Sequence, residues 1–161
     1  MNSSFPSMLA LVSLGRYNGC MTYRYDGTNW IVRLNKGERL MDGLRQLIAQ
    51  EKLASAWLQG LGGAAWAELG FYDLPNQTYH WQKIDEPLEI TSLQGNIAFD
   101  GAGEPVFHVH GSFSRADMTA VGGHVKDLEV AGTCEILVRP WNGDKLTRKP
   151  DDQIGLSLLD L

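Results

Sequence analysis

Residues 38–53 carry a helical stripe. Leu40, Leu44, Leu47 and Ile48 fall at i, i+4, i+7 and i+8, a spacing that gathers side chains on one helix face. Gly43 lies inside the stretch and weakens it slightly. No later segment repeats the pattern. Short, aromatic-rich, partly alternating runs follow instead, bounded by Gly, Pro, Asn and Asp. Residues 29–34 precede the helix as a strand. Beyond it, residues 54–61, 64–72, 79–84, 88–93, 106–113 and 128–138 read as further strands. The turn signal Leu74-Pro75-Asn76-Gln77 makes 64–72 and 79–84 a hairpin, and Gly95-Asn96 and Asp100–Gly103 read as turns. A polar segment, 139–152, ends in a returning edge strand at 154–159. One helix among many short strands predicts an α+β domain with a central, mostly antiparallel β-sheet and one main amphipathic helix. Such a sheet leaves a face uncovered, and association between copies is one way to cover it.

The length of 161 residues suits one domain. Residues 1–22 read as a tail, or as an over-called start with Met8 or Met21 as the true first residue, and residues 23–161 as the domain. The apolar run 8–14 has no preceding Lys or Arg and is at the lower length limit of a signal segment, which argues against one. No run approaches the roughly 20 apolar residues of a membrane span. Cys20 and Cys134 cannot build a disulfide framework, which points to a reducing, cytoplasmic setting. With 14 basic against 19 acidic residues, the net charge of −5 argues against the basic footprint of an autonomous nucleic-acid binder.

His108, His110 and His124 are three of the four histidines and lie within residues 106–125. In a strand, His108 and His110 point to the same side, while Phe107 and Val109 point to the other. A turn flanked by Gly122-Gly123 would bring in His124. The result is a three-nitrogen set with an open position, suited to a divalent metal: zinc first, but also Fe, Ni, Cu or Mn. The competing reading is a polar stripe on a solvated strand, with His124 unrelated. Glu135 is a charge among apolar neighbours, a candidate to orient a ligand histidine or to act as general base; the alternative is the polar face of an edge strand. Gly60-Leu61-Gly62-Gly63 lacks the G-K-[ST] ending of a phosphate loop and reads as a strand bend or bulge. No nucleophile elbow frames Ser112 or Ser114. Cys134, Trp57, Trp66 and Trp81 read as core.

The order His108-Val109-His110, Ser114-Arg115-Ala116-Asp117, Val121-Gly122-Gly123-His124-Val125 and residues 130–135 resembles the PPC domain, shared by plants and prokaryotes. Arg33-Leu34, Lys36-Gly37-Glu38, residues 60–64 and Pro87-Leu88-Glu89-Ile90 with Leu93–Asn96 extend the likeness over nearly the whole chain. The resemblance implies a homotrimer in which the three histidines converge on a divalent metal, zinc. It also implies a predicted DNA-binding or transcription-associated binding module. The R-G-R-P hook of the plant proteins is missing, which with the acidic balance argues against direct DNA binding. The alternative is a metal-dependent enzyme acting on a small molecule, with Glu135 as acid or base. A cupin-like site would want an acid soon after the histidine pair, and residues 113–116 hold none.

Overall fold

The computed structural model describes the backbone of residues 14–16 and all of residues 21–161. The expected tail falls mostly outside them. In chain order the elements are β1 (Leu14–Arg16), β2 (Thr22–Tyr25), β3 (Trp30–Asn35), α1 (Leu40–Glu51), β4 (Ala56–Asp73), β5 (Thr78–Ile84), β6 (Leu88–Phe99), β7 (Pro105–Ser114), β8 (Ala120–Pro140), β9 (Thr147–Asp151) and β10 (Leu156–Asp160). One helix beside a nearly all-antiparallel sheet is the expected α+β architecture. The parallel contact is a single pair, Phe99 with Thr147.

The stripe of α1 is buried as its spacing requires: Leu40, Leu44 and Leu47 are at most 1% exposed. Arg39 at its N-terminus makes no side-chain cap, and Lys52 ends it in the left-handed region at φ 51°. The cap comes from another element. Asp127 of β8, itself buried, accepts from the Met41 N–H at 3.2 Å and pairs with Arg39 at 2.7 Å. A carboxylate there satisfies an orphan N–H and the positive end of the helix together. Asp127→Ala should therefore lower the unfolding free energy by about 2 kcal/mol in urea titrations. Asp127→Asn, which keeps an acceptor, should lose less.

β4 pairs with both β6 and β8, and β7 also pairs with both. These four strands close a circuit. Its buried side chains include Leu69, Ile90, Leu93, Val109, Phe113, Val125 and Leu128, all part of the one apolar core. On β7 burial alternates: Val109, Gly111 and Phe113 are buried, whereas His110 and Ser112 are exposed.

Several strand boundaries differ from expectation. Residues 54–61 and 64–72 are one strand, β4, with a register shift between Gly60 and Gly62. Gly62 has φ +148°, and a Cβ there would run into the Thr133 carbonyl oxygen, so the glycine run makes the expected bulge. Gly95-Asn96 is no turn: it lies inside β6, paired with Val109 and His108. The polar segment after 139 holds β9, which forms an antiparallel hairpin with β10, the edge strand. Cys134 is buried, and burial pushes its thiol up to about 12. Trp57 and Trp81 are not core; they are 46% and 40% exposed. Ile31 and Leu61 join Trp57 as exposed apolar groups, and on β3 Ile31 faces away from the buried Val32 and Leu34. Among the described residues no helix is long and apolar enough to cross a membrane.

Candidate metal centre

The alternation that buries Val109 turns His108 and His110 to the outer side of the circuit. His124 comes from β8, where it pairs directly with His110 in the antiparallel register. This corrects the expected loop delivery. Gly122 and Gly123 lie within the strand, where a Cβ would come within 2.7 Å of the Gly111 carbonyl oxygen and of the Gly70 carbonyl oxygen, respectively. The glycine pair lets β8 pass closely between β7 and β4.

One ring nitrogen from each of His108, His110 and His124 lies within 4.8 Å of the others. Ring centroids are 5.1 Å apart for His108 and His110, and 5.4 Å for each of the other two pairs. Nε2 of His108 and Nε2 of His110 approach to 3.2 Å. On the far side of His108, Nη2 of Arg148 stands 3.3 Å from Nδ1. A guanidinium N–H can only donate, so Nδ1 accepts and the His108 proton belongs on Nε2, facing His110. Two nitrogens sharing one proton is a position that a cation can fill instead.

His124 fits the same use. Its Nδ1 is buried and has no hydrogen-bond partner, an arrangement that is costly unless a ligand satisfies it. Burial, then the neighbouring His108, His110 and Arg148, push its pKa down to about 4. Burial first, then Arg148 and His110, also lower that of His108. Both imidazoles are thus neutral at pH 7, as ligation requires. Tyr79 packs against His124 at 5.2 Å between centroids and stacks on Trp81 at 4.6 Å, walling one side. His110 is exposed and leaves the centre open. The donor set is three imidazoles with no carboxylate, which suits zinc and leaves a position for water or another ligand.

Glu135 is not brought to this cluster. It is exposed, eleven residues along β8 from His124, and lines a groove with Ile31, Gln59, Leu61 and Leu137. Its apolar neighbours in sequence, Cys134 and Ile136, point to the other face. Sequence reasoning missed Arg148 and Asn96. Arg148 is only 8% exposed and donates to Asn96 Oδ1 at 2.8 Å and to the Ser157 carbonyl at 2.9 Å. Nothing local to residues 147–149 signals a partner 40 positions upstream.

A closed four-strand circuit, one helix and three outward histidines define a small α+β domain with a donor cluster on its outer wall. The model of the Plants and Prokaryotes Conserved (PCC) domain matches residues 21–142, and the chain belongs to that family. A predicted DNA-binding protein from Ralstonia eutropha is 30% identical with a TM-score of 0.80, over 86% of this chain and 95% of that one. A metal-containing protein from Archaeoglobus fulgidus is also 30% identical, with a TM-score of 0.78 over 84% and 94%. A plant- and prokaryote-conserved protein from Pyrococcus horikoshii is 26% identical, with a TM-score of 0.77 over 94% and 96%. No curated protein matches the chain in sequence.

Proposed function

We propose that this protein is a homotrimeric binding module in which His108, His110 and His124 hold one divalent metal ion, zinc, per chain. The observation that carries the reading is the convergence of three imidazole nitrogens within 4.8 Å. The metal-containing relative from Archaeoglobus fulgidus supports it. The exposed Ile31, Trp57 and Leu61 on the uncovered sheet side support association between copies. A reducing, cytoplasmic compartment suits the free, buried Cys134.

The Ralstonia eutropha relative extends the proposal to DNA or a transcription-associated partner. The net charge of −5 favours recruitment through a partner over direct phosphate contact. A second reading, a metal-dependent enzyme, is favoured by the exposure of His110, which leaves a coordination position open. Glu135 is no part of that reading, because it stands in a separate groove.

Elemental analysis of the purified protein should give about one zinc per chain, and light scattering a mass three times 17.8 kDa. Mixed-sequence duplex should not shift in a gel even at low salt. Protein without transition metal after zinc loading would overturn the metal reading, a monomer would overturn the assembly, and a salt-dependent shift would establish direct DNA binding.

A further inference from the structure

Arg148 is, among the described residues, the charged side chain hydrogen-bonded to the histidine cluster, and nothing negative answers it. It is 8% exposed and donates to three neutral acceptors: the Ser157 carbonyl, Asn96 Oδ1 and His108 Nδ1. Its Nε is buried without a partner. The cluster itself contains no Asp or Glu. A divalent ion on three neutral imidazoles keeps its full charge, so the loaded centre and Arg148 together carry three uncompensated positive charges. Such a site is expensive to keep out of water unless an anion enters it.

We propose that the centre binds a small oxyanion, a carboxylate or a phosphate, at its open side by His110, with the positive charge of Arg148 on the far edge of His108 helping to hold it. The inference rests on the metal reading above. Arg148 lies on β9, beyond the residues 21–142 matched by the family model, so the C-terminal hairpin supplies the anion selectivity of this chain.

Cobalt(II)-loaded protein, followed by visible absorption, tests it. Acetate and inorganic phosphate are titrated separately, with chloride as the ionic-strength control. One or both oxyanions should give a saturable spectral change that chloride does not give, and the more effective of the two names the class. Arg148→Gln should weaken that binding about tenfold or more at unchanged cobalt content. Asn96→Asp is isosteric and neutralises Arg148 in place, so it should do the same even where Arg148→Gln fails to fold. Full cobalt loading with no response to either anion, or unchanged affinity in the folded variants, overturns the inference alone. Failure of the wild type to take up cobalt overturns the metal reading and this inference with it.

Discussion

Alanine at His110 or at His124 should lower zinc affinity at least about a hundredfold, because a three-ligand site that loses one imidazole loses both a bond and its geometry. The fold should survive the change. His110 is exposed on the outer wall, and no core side chain depends on it. In chelator, His110→Ala should therefore unfold within about 0.5 kcal/mol of the wild type. His124→Ala removes a half-buried ring packed on Tyr79 and should cost somewhat more. Chelator competition reads the affinity and urea titration the stability. Zinc bound as tightly by both variants as by the wild type would remove the site.

Phe113→Ala should act in the opposite sense, on the fold first. Among the described residues Phe113 is the largest fully buried side chain, at 0% exposure, and its ring fills the space beside Gly111. Its strand is held on both sides, by Ile90 in β6 and Val121 in β8. That two-sided pairing leaves little room for collapse around the void. The expected loss is about 4 kcal/mol, from the transferred ring and the residual cavity together. A loss below about 1.5 kcal/mol in urea titrations would show that the circuit relaxes inward. Phe113 is three residues from His110 on β7, so this variant should also loosen the metal, which the histidine variants do without unfolding.

How far these features were legible depends on whether their cause was local. The α1 stripe and the shared face of His108 and His110 follow from backbone periodicity, and both were readable. The hairpin of β4 and β5 was also readable, because its turn residues sit between its strands. Gly95-Asn96 and Gly122-Gly123 misled because a glycine that admits a neighbouring backbone spells the same as one that turns the chain. At Gly123 the neighbour is Gly70, more than fifty positions away. Glu135 was overvalued for a different reason. Counting apolar neighbours suggested burial, but alternation between Cys134 and Ile136 already placed it on the other face. Arg148 was beyond reach, since its meaning comes from Asn96 and His108.

The five residues between β7 and β8, from Arg115 to Thr119, act as a ruler. Ser114 pairs with Ala120 at one end of the ladder, and His110 meets His124 at the other. Side chains alternate with a period of two, so a connection one residue shorter, if absorbed by slippage, would present Val125 opposite His110 and turn His124 toward the core. Within it the Asp117 carboxylate accepts from the Thr119 N–H and hydroxyl at 2.9 and 2.6 Å, and Met118 takes φ 67°. The number of residues matters as much as these contacts. In a chain built this way, an insertion or deletion of one residue in that loop would part the three imidazoles and leave the rest of the fold in place.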